Sequence, residues 1–546
     1  MVRSCWPAPA ANCWTTSACA RPTLGSELHP LEPSGEADCD VLVVGGGING
    51  CGIARDLAGR GWRVVLCEQD DLAAHTSSAS TKLIHGGLRY LEHREFALVR
   101  KALQEREVLL RSAPHIMWPL RFVMPHDPAM RPAWMIRAGL FLYDNLARRE
   151  VLPGSRAVDL RQHPAGEPLK PEFRKGFVYS DGWVDDARLV VLNALDAQAW
   201  GARILTRTRC TVAQRDSKGW NVTVQAANGS PRTVRARALV NAAGPWAASF
   251  LGDVARPGNG ERFATRRLRL VKGSHIVVRG LFSHQHAYIF QSPDKRIIFA
   301  IPYQDNFTLI GTTDVEWHGP AAGPVRIGPS EVDYLCAQAS RYFARPVTTS
   351  DVVWSFSGVR PLLDDEAGDP SAVTRDYLLE QDSAGAPLLS VWGGKITTFR
   401  KLAEDAADAV GALLGEHRKP WTTGAFLAGG ELSAATSDPA HAGMPQERFA
   451  SFLQTVQQQH DWLPPAMTRR MAHAYGGRIH RVLAGANGLA SLGEEVAPGL
   501  FERELQYLRE EEWARTGEDV LWRRSKLGLR LTQAQRERVG DWMSKA

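Results

Sequence analysis

No run in this 546-residue chain approaches the roughly 18 consecutive apolar residues that cross a bilayer, so nothing in it reads as a membrane-spanning helix. The N-terminal segment is broken by Pro7, Pro9 and Pro22 and lacks a continuous apolar core, so residues 1 to 37 read as an irregular tail, neither signal peptide nor anchor. Cysteine is scarce. Of eight, four (Cys5, Cys13, Cys19, Cys39) fall in the first 39 residues without the C-x-x-C spacing that zinc uses. The others (Cys51, Cys67, Cys210, Cys336) are scattered as free buried thiols would be in a reducing compartment. No metal site is expected. Charge of one sign is also lacking: 65 Lys+Arg against 59 Asp+Glu leave +6, too little to indicate nucleic acid but compatible with an anionic substrate or lipid surface. Internal repeats and low-complexity tracts are absent.

What is present is an ordinary globular composition, 44% hydrophobic and 23% charged, at a length that predicts two to four domains. A strand (41–45), a glycine turn, a helix from about Ile48 to Gly59 and a second strand (62–68) form a βαβ unit. A Ser/Thr- and Gly-rich segment (75–87) leads into a charged helix from about Arg94 to Arg111. Between 265 and 315, short apolar runs with β-branched residues predict an antiparallel meander. A Gly/Ala/Ser/Thr-rich linker at about 424–445 precedes a C-terminal helical unit that includes the helical pattern 502–524.

Gly45, Gly47 and Gly50 form G-x-G-x-x-G between strand and helix, where bare backbone lets a pyrophosphate reach the amide donors of a helix N-terminus; Asn49 lies inside the turn. Glu68 closes the second strand at the spacing of an acid that accepts hydrogen bonds from a ribose diol. NAD and FAD are not separated by this fingerprint. Two later segments tip the reading to flavin. The strand ARALVNAAGPWA (236–247) ends in small residues and Gly244, as backbone passing close to a cofactor must. WGGKITTFRKLAE (392–404) sets two glycines ahead of a second helix N-terminus that could face the flavin ring.

GGGINGCGIA (45–54), SSASTKLIHGGLRYLE (77–92), YSDGWVDDARLV (179–190), VKGSHIVV (271–278), IGTTD (310–314), SGVRPL (357–362) and GGKITTFRKLAE together resemble the aerobic, FAD-dependent glycerol-3-phosphate dehydrogenases, over about residues 38–546. The resemblance implies an α/β fold: an FAD-binding Rossmann-like domain of the amino-acid-oxidase type, an antiparallel-sheet substrate domain and a C-terminal helical domain. The first two interleave over 38–423, with the substrate part roughly at 115–180 and 262–355; the helical domain takes 446–546.

By the same resemblance, Thr76, Ser77, Ser80, Lys82, Leu83 and His85 line the flavin, and Gly394, Lys395 and Thr397 close its other side. A dianionic three-carbon phosphate needs cations, and guanidinium grips phosphate through two hydrogen bonds. Arg89, Arg360 and Lys395 are the candidates, with Tyr90 and Thr312 as hydroxyl donors. The implied reaction oxidises sn-glycerol 3-phosphate to dihydroxyacetone phosphate, hydride leaving carbon 2 for flavin N5 while a base takes the hydroxyl proton. His275 is the first choice for that base and His85 the second, with Arg360 stabilising the developing alkoxide.

The family's peripheral attachment to the inner face of the cytoplasmic membrane and its quinone acceptor imply a docking element. Two segments offer one: 131–149, apolar with Arg131, Arg137, Arg148 and Arg149, and the C-terminal Arg523, Arg524, Lys526 and Arg530. The stronger reading of such a stripe with charged flanks is a core-facing amphipathic helix. Alternatives are an oxidase that hands electrons to oxygen, a related amine oxidase, or a flavin-binding protein without turnover. Arg89 and Arg360 argue against an amine substrate, and the full set of histidines and cations against mere binding. A homodimer is compatible with the sequence.

Overall fold

In this computed structural model residues 37–127, 131–227, 229–258, 261–294, 296–319, 325–364, 376–432 and 443–545 are described. The expected N-terminal tail, apart from its last residue, and the middle of the expected linker lie outside them. The first βαβ unit forms where the pattern puts it. Strand Cys39–Val44 is buried along its length, helix Ile48–Gly59 follows, and strand Val64–Cys67 returns parallel to the first, Val41 opposite Val64. The helix carries three glycines, and it packs on helix Phe399–Leu413 closely enough for Gly52 to face the Phe399 ring.

These strands belong to a nine-stranded sheet among the described residues. Arg232–Asn241 and then Leu388–Trp392 extend it in parallel on one side, and Arg203–Leu205 on the other. A second, ten-stranded sheet carries Met117–Pro125 and Lys175–Val184 beside the strands of the 268–311 region. Those four strands are not a plain meander. Leu268–Arg279 pairs with the last of them, Phe307–Gly311, and on its other side with Val352–Leu363, while Ala287–Gln291 pairs with Ile297–Tyr303. The charged helix runs Phe96–Ser112.

The 502–524 pattern breaks into a helix, Glu502–Glu510, and a short wide helical turn, Asp519–Arg524. The break serves a buried ion network. Arg524 bonds both carboxylate oxygens of Asp71 (2.7 and 2.8 Å), Arg523 bonds Asp71 (2.6 Å) and Asp519, and Arg188 pairs with Glu512. This corrects the expectation of a basic C-terminal docking element. Arg523, Arg524 and Lys526 are buried, and Arg530, although exposed, is paired with Asp305.

Helix Ala133–Asn145 goes the other way. It buries only Leu140 and Tyr143 and leaves Trp134 70% and Phe141 62% exposed, with Met135 and Leu142 beside them, so the core-facing alternative fails for most of its apolar residues. Among the described residues no helix is long and apolar enough to cross a membrane. Cys39, Cys51, Cys67, Cys210 and Cys336 are free and buried.

Candidate active site

At the carboxyl ends of the parallel strands a cavity of about 240 Å³ is lined by the glycine turn and by Gly393 and Gly394, the place where open parallel sheets bind ligands. Gly45 holds φ +114°, and a Cβ there would sit 2.4 Å from the Ala242 carbonyl oxygen, so the turn admits no side chain. Glu68 lines the cavity with its carboxylate already held: Oε2 accepts from the Gly46 N–H (2.6 Å) and Oε1 from the Asp70 N–H (2.8 Å). Burial raises its pKa, opposed by those two bonds. Ser77 Oγ accepts from the Ile48 N–H (3.0 Å) at the start of the first helix.

Asn49 donates to the Gly393 carbonyl (3.1 Å), while its Oδ1 is buried in the cavity wall without a partner among the described residues. Backbone donors at a helix N-terminus, a buried carboxylate beyond them and an orphaned amide oxygen fit the phosphates, ribose and further polar edge of a dinucleotide.

Gly45, Gly47, Asn49, Glu68, Thr76, Ser77, Gly244 and Gly394 all line this cavity. Gly50 stands behind the turn, packed on the Gly45 carbonyl. Thr76 donates to the Val359 carbonyl (2.7 Å), joining the cavity to the second sheet. The other candidates sit deeper. Lys82 is buried, its Nζ donating to Asp186 (2.6 Å) and the Ser78 carbonyl, and Ser80 Oγ donates to the same carboxylate (2.8 Å). Leu83 is in the apolar core opposite Trp183. The His85 N–H donates to Thr397 Oγ1 (3.1 Å), which links the two loops expected on either side of a flavin.

The candidate substrate residues converge from three elements. Strands Leu268–Arg279 and Val352–Leu363 lie side by side with Val271 opposite Arg360 and His275 opposite Phe356. Between them Gly273 leaves the space that Arg360 and Thr312 share; a Cβ there would come within 2.6 Å of Arg360 Nη2 and 2.9 Å of Thr312 Oγ1. Arg360 donates to the Asp314 carboxylate and the Thr313 carbonyl (3.1 Å).

His275 stacks on Phe356 at 4.8 Å and its Nε2 lies 3.0 Å from Thr81 Oγ1. Burial pushes its pKa down to about 3, with Lys82 and Arg360 adding to the effect, so the imidazole is neutral near pH 7. The turn Leu88–Leu91 packs on the same apolar cluster as Phe356. Lys395 Nζ sits 3.9 Å over the Tyr90 ring, and the guanidinium of half-buried Arg89 makes no hydrogen bond or ion pair among the described residues.

Three contributors had no individual signal in the sequence. Thr81 orients His275, Asp314 anchors Arg360, and buried Glu331 accepts from Ser274 (2.9 Å), Thr313 (2.7 Å) and Lys272 (2.7 Å), tying the strand of His275 to the loop of Thr312. Thr81 and Asp314 lie inside motifs quoted above; Glu331 comes from a helix 57 residues beyond Ser274 and is visible only in the fold.

Comparison with known proteins follows the same division. The family model described as FAD dependent oxidoreductase matches residues 40–400, and that of the C-terminal domain of alpha-glycerophosphate oxidase matches 421–545. A glycerol-3-phosphate dehydrogenase of Pseudomonas aeruginosa is 51% identical over 95% of this chain and 97% of its own length. A D-erythritol 1-phosphate dehydrogenase of Brucella abortus is 49% identical over 93% of this chain and 98% of its own. The solved glycerol-3-phosphate dehydrogenase of Bacillus halodurans, complexed with FAD, is similar with a TM-score of 0.74 at 28% identity, covering 94% of this chain and 91% of that one.

Proposed function

From the premise that this chain belongs to the FAD-dependent glycerol-3-phosphate dehydrogenase family, we propose that it oxidises sn-glycerol 3-phosphate to dihydroxyacetone phosphate and passes the electrons to a membrane quinone. The observation that carries the reading is the meeting of Arg360 and Thr312 beside Gly273, on the strand that also carries neutral His275. FAD, when bound, supplies the acceptor for a hydride.

The chain's own residues do the rest. Arg89 and Lys395 take the phosphate as charge-assisted donors. Arg360, held by Asp314, faces the carbinol oxygen and stabilises negative charge as the hydroxyl proton leaves. His275 receives that proton. Burial is the main cause of its low pKa, with Lys82 and Arg360 adding to it; a bound dianion supplies the opposite charge that favours imidazolium and raises it. His85, joined to Thr397 through its backbone, is the reserve candidate.

The exposed Trp134, Met135, Phe141 and Leu142 of helix Ala133–Asn145, with exposed Arg137 on the same helix, support peripheral docking on an anionic membrane, where a quinone is within reach. The Brucella relative favours a second substrate, a four-carbon polyol phosphate, because the same phosphate and carbinol contacts serve a longer chain.

The test is the anaerobic visible spectrum of purified protein. Bleaching of the flavin band by glycerol 3-phosphate, and not by glycerol, supports the reading. Faster bleaching by erythritol 1-phosphate moves the substrate assignment, and bleaching by neither overturns it. Hydrogen peroxide production in air at the full turnover rate would replace quinone with oxygen.

A further inference from the structure

A second cavity, of about 720 Å³, opens between the second sheet and the C-terminal unit. Its walls are strand residue Trp118, the hairpin at Tyr303–Asp305, helix Pro465–Tyr475 and the segment around Lys526. None of His275, Arg360, Thr312, Tyr90 or Lys395 lines it. Trp183 and Tyr303, 5.8 Å apart by ring centroid, stand on its sheet side within the apolar cluster that also packs Phe356, on which His275 stacks. The cavity is therefore distinct from the catalytic site, and its size is that of a small-molecule pocket.

Its lining has two kinds of surface. One is aromatic. Trp118 meets the His473 ring at 4.9 Å, and His473 meets Phe449 at 4.2 Å, a run of three mutually tilted rings that all line the cavity. The other is cationic, and its charges are not all neutralised. Arg524 is committed to Asp71, Arg470 to Glu504 and Arg530 to Asp305. The guanidinium of exposed Arg469 makes no hydrogen bond or ion pair among the described residues. Lys526, only 4% exposed, donates to the Trp522 carbonyl, and the carboxylate nearest it, Asp185, is 3.8 Å away. Tyr303 adds a buried hydroxyl without a partner among the described residues. Of the two carboxylates in the lining, Asp305 is held by Arg530 and Asp185 pairs loosely with Lys526, so Arg469 is left without a carboxylate partner among the described residues.

We propose that this cavity binds a nucleoside phosphate, its base against the Trp118, His473 and Phe449 wall and its phosphate on Lys526 and Arg469. Inorganic phosphate or a three-carbon phosphate would leave the aromatic wall and most of the volume unused. An acyl chain would bury the polar lining without partners. A flat base carrying phosphate engages both surfaces at once, through stacking and charge-assisted hydrogen bonds.

The test uses the FAD-loaded enzyme, in which the ADP half of the cofactor already fills the first cavity. ADP, GDP, adenosine and inorganic phosphate are titrated by calorimetry, with and without saturating glycerol 3-phosphate. The expected result is one ADP or GDP per chain with the flavin spectrum retained, and adenosine and phosphate each bound at least about tenfold more weakly. Arg469→Glu, a surface change, is expected to weaken ADP binding about tenfold or more and leave turnover without nucleotide unchanged; Trp118→Leu should weaken it as well. Four outcomes would overturn the proposal: no heat with either nucleotide, phosphate binding as tightly as ADP, displacement of ADP by glycerol 3-phosphate, or ADP binding unaffected by Arg469→Glu.

Discussion

Arg360→Ala is expected to stop turnover and leave the flavin in place, and the structure sets the size of both effects. The side chains of Arg360 and Asp314 are 32% and 30% exposed, so their ion pair contributes about 0–1 kcal/mol to stability and the fold survives its loss. Arg360 does not line the cofactor cavity, so FAD occupancy should match wild type. Removing one preorganised donor from a developing oxyanion costs about 3–4 kcal/mol, a factor of about 10²–10³ in kcat. Asp314, stripped of its partner, then repels the substrate anion and raises KM. Together these place kcat/KM about 10³-fold or more below wild type. Arg360→Lys restores charge without the planar fork and should fall between the two. The assay is anaerobic stopped-flow bleaching of the flavin across a range of glycerol 3-phosphate concentrations. A loss under about tenfold with normal KM, or a colourless variant, would refute the assignment.

Glu68→Ala removes the acceptor of the Gly46 and Asp70 amides at the cofactor cavity; apparent FAD affinity, read by fluorescence on reconstitution, should drop about tenfold or more, with kcat of the reloaded enzyme near normal. Gly273→Ala puts a methyl where Arg360 and Thr312 meet and should raise KM several-fold with FAD content unchanged; unchanged kinetics would show that these two side chains do not have to share that space. Burial alone would raise the pKa of Asp519, but the Arg515 N–H and the Arg523 and Arg207 guanidiniums hold it at about 2. Its folded pKa is below the unfolded value near 4, so its contribution of roughly 2 kcal/mol is complete above about pH 4 and lost as pH falls from there towards 2. Asp519→Asn should flatten that limb of an acid-denaturation curve, and a curve parallel to wild type would refute it. Trp134→Glu with Phe141→Glu should abolish sedimentation with anionic vesicles without changing anaerobic flavin reduction; persistent sedimentation would move docking elsewhere.

Local pattern carried far in this chain. Helix Ile48–Gly59 has the bounds its pattern predicts, and the adjoining strands differ by a residue or two, because the glycine turn, the apolar runs and the spacing to Glu68 are all near neighbours in sequence. Pairings set by distant contacts were not legible. Whether Leu268–Arg279 takes Ala287–Gln291 or Phe307–Gly311 as neighbour depends on which edge Val352–Leu363 occupies, and no local pattern encodes that. Charge misled for the same reason. Arg523, Arg524 and Lys526 look like a solvated basic stretch until Asp71, 453 residues from Arg524, is brought against it. In the site, ordered motifs held the candidate residues, but the partners that fix Arg360 and His275 could be told from other motif residues only by distance.

Asp71 also bears on why the C-terminal unit and the cofactor cavity meet through ion pairs. It lies three residues beyond Glu68, at the far end of the loop whose near end holds the carboxylate in the cavity, and Arg207, Arg523 and Arg524 surround it. Burying such charges gains little stability over apolar packing of the same volume, because desolvation offsets most of the attraction. An apolar contact could slide; two parallel bonds from one guanidinium to one carboxylate fix both direction and distance. The network holds the loop that follows Glu68 from a unit more than 400 residues away in sequence, so a defect in the Asp519–Arg524 turn should register first as weakened FAD binding and only later as loss of fold.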